Sequence, residues 1–319
     1  MFSLSTSWNS KRFQTGLEIV NSAKELGFDT LELNFTLTED KVNDIIELRH
    51  QGKIQISSLH NYCPLPHGLT VETASPDHYA LSSLDEAVRR EGVSLTKRTI
   101  DYAAKAEALA VVLHAGKVEM EHTSRYLVQL YKEGKAQESE FMSYRDQMVK
   151  ERTAKSAPHL AKTVESLKEL APYAAKRGIL LGIETRYYYQ EIPGFDEFEK
   201  IFSQLDPPDL FYWHDIGHAQ VIETLGLGQH EPLLRQQAKR LLGMHIHDIE
   251  GTDDHRAPLS GKFSFERIVP YVTSRTIQVI ELRASASPDA IGRGISYLEN
   301  LLGDRVWSGE NEIFQSREK

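Results

Sequence analysis

The chain has 319 residues, of which 40% are hydrophobic and 26% are charged, a balance typical of a soluble globular protein. Its net charge of −9 argues against strong non-specific binding to nucleic acid or to an anionic membrane, and its single cysteine, Cys63, excludes an intrachain disulfide. No apolar run reaches membrane-spanning length. The N-terminal segment "MFSLSTSWNSKRF" lacks the basic start and apolar stretch of a secretory signal, so we expect a cytoplasmic protein.

Short apolar runs rich in β-branched residues alternate with longer segments of helical period. The runs predicted to be strands are residues 2–6, 30–35, 55–62, 109–116, 179–185, 210–215, 241–248 and 276–283. Helical patterns follow, such as "TGLEIVNSAKELG", which ends on a glycine suited to a helix C-cap. Eight β-then-α units predict one α/β domain over residues 1–319, a single (β/α)8 barrel. A doubly wound open sheet is the alternative, but the loop "STSWNSKRFQTG" is not the glycine-rich phosphate loop which that fold usually carries.

Residues 117–160, after the fourth predicted strand, depart from this rhythm because they are long and highly charged. We predict that this insertion is mostly helical. Its role is open between a lid, a subunit contact of a homo-oligomer, and a solvated helical insertion. Because no candidate metal ligand comes from it, we also predict that the insertion is peripheral to the site described next.

Side chains able to hold a metal cluster near the C-terminal ends of the predicted strands, where barrel enzymes place their active sites. They are His60, His114, Glu184, Asp215, His218, His245, Asp253, His255 and Glu281. The carboxylates of Glu184, Asp215 and Glu281 would repel one another in a small cavity, and each would be costly to desolvate. A divalent cation removes that cost, and three carboxylates with one imidazole suit Mn²⁺, Co²⁺, Mg²⁺ or Zn²⁺. A protonated or salt-bridged cluster without metal is the alternative.

Five short segments occur in an order typical of a known superfamily: "GFDTLELNF", "GIETR", "HDIGHA", "HIHD" and "VIELR". In them the chain resembles the xylose isomerase-like barrels, which include sugar and sugar phosphate isomerases and epimerases and the endonuclease IV group of phosphodiesterases. The resemblance implies a metal held by Glu184, Asp215, His245 and Glu281. His247 is predicted to point to the opposite face of its strand, in a packing or supporting role.

The segment "DDHRAPLSGKFSF" resembles the D-x-H loop of the same superfamily and gives Asp253 and His255. In endonuclease IV enzymes, matching residues join the counterpart of His218 around one zinc, and the counterparts of His60 and His114 hold another. In the sugar isomerases and epimerases, equivalent positions hold substrate hydroxyls or one second metal. The sequence is compatible with both schemes.

Four further residues are candidates for substrate binding. Glu32, inside the second strand, would bind substrate or form a salt bridge inside the barrel. Arg186 and Arg283 each follow a predicted metal glutamate by two residues and share its face of the strand, so they would bind a substrate anion or compensate the acidic site. Trp8, in the first loop, would stack on the apolar face of a sugar.

We therefore expect a divalent-metal-dependent isomerase or epimerase of a small sugar, polyol or sugar phosphate. Glu184 and Glu281 would move a proton through a metal-stabilised enediolate. One alternative is an endonuclease IV-like phosphodiesterase acting at abasic DNA sites, against which the acidic net charge argues. The other is a non-catalytic barrel that binds a metal or a sugar.

Overall fold

A computed structural model describes residues 1–205 and 210–309 of the chain. Eight parallel strands close into a barrel, in the order β1-β10-β7-β6-β5-β4-β3-β2. The barrel strands are Ser3–Ser5 (β1), Thr30–Leu33 (β2), Gln55–His60 (β3), Ala110–Leu113 (β4), Leu180–Glu184 (β5), Leu210–Asp215 (β6), Leu241–Ile246 (β7) and Ile277–Ile280 (β10). A separate antiparallel hairpin of Asp248–Glu250 (β8) and Asp253–Arg256 (β9) follows β7. The predicted (β/α)8 barrel is confirmed, because each predicted strand contains one barrel strand.

Helices connect the strands on the outside of the barrel. They are Gly16–Glu25 (α1), Glu39–His50 (α2), Glu86–Lys105 (α3), Ser124–Lys132 (α4), Ser139–Ala175 (α5), Phe198–Phe202 (α6), Ile216–Thr224 (α7), His230–Gln237 (α8) and Pro288–Leu302 (α9). Local sequence explains several of their starts. Thr15 and Glu18 form a capping box on α1, and the side chains of Asp85 and Ser287 cap α3 and α9.

The charged insertion is helical, as predicted, but it does not end as a separate unit. Its second helix, α5, runs without interruption for 37 residues, from Ser139 to Ala175. The helix predicted from "AKTVESLKEL" onwards is therefore the second half of α5. The first part of the insertion, before α4, lies at the barrel mouth, where residues 117–120 line the cavity described below.

Strand alternation divides the buried side chains into two sets. Glu184, Asp215 and His245 point into the barrel, and Trp213, two residues before Asp215, fills the interior beneath them. A Cβ on Gly243 would approach the Trp213 ring to 2.3 Å, so this strand position requires a residue without a side chain. Residues of the opposite parity, such as Tyr212, pack outward against the helices in the main hydrophobic core.

None of the helices within residues 1–205 and 210–309 is both long enough and apolar enough to cross a membrane.

Candidate functional site

The loops at the C-terminal ends of the barrel strands surround a cavity of about 1260 Å³. Seven of the nine residues predicted as possible metal ligands line it: His60, His114, Glu184, His218, Asp253, His255 and Glu281. They come from the ends of β3, β4, β5 and β10, the start of α7 and the β9 strand. Closure of the sheet into a barrel brings these strand ends together at one end of the molecule, although the residues span more than 220 positions of the chain.

The floor of the cavity contains the four residues predicted as ligands of the main metal. Ligand atoms of Glu184, Asp215, His245 and Glu281 all lie within 4.8 Å of one another, and all four side chains are buried. His245 Nδ1 lies 2.7 Å from Glu184 Oε1, 3.5 Å from Asp215 Oδ2 and 3.1 Å from Glu281 Oε2. One imidazole nitrogen therefore sits among three carboxylates from three other strand ends.

The ring of His245 is oriented by Glu32, which lies below it in the barrel. His245 Nε2 donates to Glu32 Oε1 at 3.1 Å, and Ser58 Oγ donates to Glu32 Oε2 at 2.8 Å. This bond leaves Nδ1 as the nitrogen that faces the carboxylates. Glu32 is 0% exposed and is not part of the cavity lining, a position that favours the salt bridge inside the barrel over substrate binding.

The charges of the floor compensate one another. Burial alone would raise the pKa of Glu184, but His114 and His245 outweigh it and hold that pKa well below its usual range. Burial likewise opposes the charge on His245, but Glu281, Glu32 and Glu184 raise the pKa of its imidazole well above its usual value. For Glu281, the charges of His245 and His255 overcome desolvation and lower the pKa to about 2. The carboxylates are thus ionised and require positive charge beside them.

A second group of potential ligands consists of His60, His114 and Glu184. His60 Nδ1 contacts the Asn61 carbonyl oxygen at 3.1 Å, and His114 Nδ1 contacts Asp77 Oδ2 at 3.1 Å. Because these acceptors hold the proton on Nδ1, the Nε2 atoms of both rings are free to act as ligands, and they lie 3.5 and 2.6 Å from Glu184 Oε2.

A third group differs from the prediction in one residue. His218 and His255 come together with Asp254, whereas Asp253 lies aside. Asp253 is bonded to Arg283 and Arg256, both at 2.8 Å. The prediction of Asp253 as the partner of the two histidines is therefore wrong, because the β8–β9 hairpin turns the neighbouring aspartate towards them.

His247 also differs from the prediction. Residues two apart on a strand share a face, so His247 lies on the same side as His245 and not on the opposite one. His247 Nε2 donates to Asp215 Oδ1 at 3.0 Å, and its Nδ1 accepts the backbone N–H of His255 at 2.9 Å. Both nitrogens are therefore hydrogen-bonded, and His247 supports Asp215. A ligand atom of His247 also lies within 4.8 Å of ligand atoms of Asp215 and His255, so these three residues form a fourth group of potential ligands. Gly217 makes room for this ring, because a Cβ there would lie 2.2 Å from His247 Cε1.

The two predicted arginines line the cavity, but both are bonded to carboxylates. Arg186 bonds Glu184 at 3.3 Å and Asp77 at 3.0 Å. Arg283 bonds Asp253 and the backbone carbonyl of Asp254. Both arginines thus compensate acidic neighbours, which is one of the two options left open by the sequence.

Trp8, predicted to stack on a sugar, does not line the cavity. It is 3% exposed, its Nε1 donates to the Ala286 carbonyl oxygen at 2.9 Å, and the Arg12 guanidinium lies over its ring. The aromatic residue that lines the cavity on this side is Phe35, whose ring packs against His60.

The sequence did not predict Asp77, which connects His114 with Arg186. It lies in the long loop between β3 and α3, which crosses the barrel mouth. In the sequence, Asp77 is only an acidic residue within the loop segment "SPDH". Acidic residues of this kind are common in surface loops, so they do not mark a site.

Comparisons with known proteins agree with this architecture. A family model described as a xylose isomerase-like TIM barrel matches residues 20–301. A search of curated protein sequences finds no match. Among solved structures, the chain resembles a D-tagatose 3-epimerase-like protein, with a TM-score of 0.65 and 18% identity over 100% of this chain and 99% of that one. It also resembles an L-ribulose 3-epimerase, with a TM-score of 0.68 and 13% identity over 95% of each chain. A third relative is a 3-keto-D-glucoside 4-epimerase from E. coli, with a TM-score of 0.64 and 15% identity over 94% of this chain and 98% of that one.

Proposed function

Because the chain belongs to the xylose isomerase-like TIM barrel family, we propose that it is a divalent-metal-dependent epimerase or isomerase of a sugar or sugar derivative. The observation that carries the proposal is the buried group of Glu184, Asp215, His245 and Glu281 at the floor of an open cavity. The names of the similar structures, which are epimerases of small sugars and of a keto-glucoside, support the same class of substrate.

The floor residues fit a divalent cation. Three ionised carboxylates converge at this centre, and imidazoles together with Arg186, which bonds Glu184 at 3.3 Å, offset part of their charge. His245 presents Nδ1 to this centre because Glu32 occupies Nε2. Oxygen and imidazole donors in this ratio suit Mn²⁺, Co²⁺, Mg²⁺ or Zn²⁺. When bound, such a cation polarises a substrate carbonyl and acidifies the neighbouring C–H bond.

Glu184 and Glu281 are the proposed acid and base. They lie at the ends of β5 and β10, three strands apart around the barrel, so a substrate between them presents a different face to each. Their lowered pKa values keep both carboxylates ionised and ready to accept a proton at neutral pH. The Nε2 atoms of His60 and His114 lie beside Glu184, where they would bind substrate hydroxyls if they hold no second metal.

The test is exchange of carbon-bound hydrogen with heavy water, measured over a panel of ketoses, ketose phosphates and inososes. The metal-loaded protein should introduce deuterium into at least one panel member. Glu184→Gln and Glu281→Gln should lower the rate by about a hundred-fold to ten-thousand-fold. The exposed Glu25→Gln serves as the matched control and should exchange at the full rate.

A second candidate function is metal-dependent phosphodiester hydrolysis. The observation that favours it is the presence of three further ligand groups beside the main one, which are His60–His114–Glu184, His218–Asp254–His255 and Asp215–His247–His255. Elemental analysis separates the two functions, because three bound metals favour the phosphodiesterase and one or two favour the epimerase. If no sugar exchanges while a duplex with an abasic site is cut in a metal-dependent way, the phosphodiesterase replaces our first proposal.

A further inference from the structure

The cavity has an outer wall that the floor chemistry does not use. This outer wall is formed by Lys117, Thr123 and Arg125, from the segment before and at the start of α4, together with Tyr188. At about 1260 Å³, the cavity exceeds the upper end of the usual range for pockets that hold a drug-sized ligand, roughly 1,000 Å³. A monosaccharide bound at the floor would therefore leave room for a further group at this wall.

The outer wall carries two positive charges that form no ion pair with a carboxylate of residues 1–205 and 210–309. Within the described part of the chain, the side chains of Lys117 and Arg125 form no hydrogen bond and no ion pair, although both are exposed. Asp77, whose pKa Lys117 helps to lower, is already bonded to His114 and Arg186. These two cations thus differ from Arg186 and Arg283 in the same cavity, which are both committed to acidic neighbours.

The two cations are held on a common support. The Arg125 guanidinium lies 4.7 Å from the centre of the Tyr188 ring, which restrains it against the wall. The turn that carries Tyr188 also bonds the segment of Lys117. Val118 N donates to the Gln190 carbonyl oxygen at 2.8 Å, and the backbones of Lys117 and Glu191 form an isolated antiparallel β-bridge. Gln190 in turn accepts from Ser124 at the start of α4. One turn therefore positions both cations and the positive end of the α4 helix.

We propose that the outer wall binds an acidic group of the substrate, a phosphate or a carboxylate, at the end remote from the reacting carbons. This assignment rests on the proposed function and narrows its substrates from sugars in general to acidic sugar derivatives. Glu119 is exposed and also lines this part of the cavity, so its negative charge would repel such an anion. Removal of that charge should therefore strengthen binding of an acidic group.

The experiment measures binding of probes that cannot react, so its result is independent of turnover. Dissociation constants for the metal-loaded protein are compared between xylitol and xylitol 5-phosphate or xylonate, and between sorbitol and sorbitol 6-phosphate or gluconate. We expect at least one acidic probe to bind tenfold or more tightly than its neutral parent. The phosphate and carboxylate probes identify which acidic group the wall accepts.

Variants locate the source of that preference. Lys117→Gln and Arg125→Gln should each reduce it about tenfold and leave binding of the neutral parent unchanged. Glu119→Gln should increase it. The control Lys53→Gln removes an exposed lysine before β3, outside the cavity lining, and should change nothing.

Two results would overturn the proposal. One is equal affinity for every acidic probe and its neutral parent. The other is a preference that survives both substitutions, because the metal floor and not the outer wall would then hold the anion. A failure of hydrogen exchange in the sugar panel would overturn the proposed function but would leave this binding result standing, so the two failures are distinguishable.

Discussion

Two buried histidine environments lie at neighbouring strands of the same barrel and have opposite electrostatics. His245, inside the barrel, is surrounded by carboxylates, and its pKa is raised well above the usual value. His214 and His230 pack outside the barrel, between β6 and α8, with Nε2 atoms 2.8 Å apart. Burial lowers the pKa of His230 to about 4 and, with His230 beside it, lowers that of His214 well below its usual value.

Burial is nearly complete for all three rings, at 0 or 1% exposure, so burial alone does not decide whether an imidazole is charged. The partners decide it. His245 contacts carboxylates on the inner face, whereas His214 accepts from or donates to the Tyr212 hydroxyl at 2.6 Å on the outer face. The proposed metal ligands therefore lie on one face of the strands, and the neutral pair on the other face belongs to the packing of the helices.

The largest effect is expected when a proposed metal ligand is removed from the inner face. Asp215→Asn or His245→Ala should abolish metal binding, because each removes one of four converging donors, while the barrel strands retain their core. Elemental analysis and circular dichroism measure the two consequences. Full metal occupancy in His245→Ala would show that another histidine holds the cation.

A smaller effect on the same face is expected from His247. His247→Ala removes the donor to Asp215 Oδ1 but none of the four proposed ligands of the main metal. The affinity of this site for metal should therefore fall about ten-fold to a hundred-fold without being lost. Metal titration against a competing chelator measures this change. His50→Ala removes an exposed histidine from the end of α2 and is the control. An affinity unchanged from wild type would mean that Asp215 needs no such support.

On the outer face, substitution of a histidine should lower the stability of the fold and leave the metal content unchanged. His230→Leu keeps an apolar volume but leaves His214 Nε2 without its partner, which should lower the free energy of unfolding by about 1–3 kcal/mol. Urea denaturation measures the loss, and metal content should stay at the wild-type level. If His230→Leu lost its metal, the separation between the two faces would be wrong.

The strands and most of the site could be predicted from the sequence because both depend on local patterns. Apolar runs at regular spacing specify the eight strands, and a barrel brings the strand ends together wherever they fall in the sequence. This geometry predicts that Glu184, Asp215 and Glu281 meet at one centre, and the resemblance to the xylose isomerase-like barrels implies His245 as the fourth member. Strand alternation places residues two apart on the same face, so it also predicts the shared face of His245 and His247. The prediction that His247 lies on the opposite face applied this rule incorrectly.

The remaining site residues depend on loop conformations that carry no comparable signal. Which of Asp253 and Asp254 faces the histidines is set by the β8–β9 hairpin, whose three- and four-residue strands are too short for a pattern. Asp77 reaches His114 through a loop of some 25 residues that has no regular structure. Trp8 was assigned to the cavity by residue type alone, whereas its indole N–H is bonded to the loop before α9.

The last expected effect concerns the pH dependence of stability on the outer face. In the unfolded chain His230 takes up its proton near pH 6.5, whereas in the folded protein its pKa is about 4. Between these values the unfolded state binds more protons than the folded state, so the free energy of unfolding falls as pH falls, by up to about 1.4 kcal/mol per pH unit for this residue. Below pH 4 the destabilisation due to His230 is constant, and above pH 6.5 it vanishes.

His230→Leu removes this titration but retains the carboxylates and the metal ligands of the inner face. The stability advantage of the wild-type protein over the variant, measured by urea denaturation at one metal concentration, should therefore be largest near pH 7.5 and should shrink towards pH 5. The lowered pKa of His214 acts in the same direction in both proteins and largely cancels in the difference. A difference that stays constant across this range would show that His230 is not held neutral by its burial, and the contrast with His245 would then rest on hydrogen bonding alone.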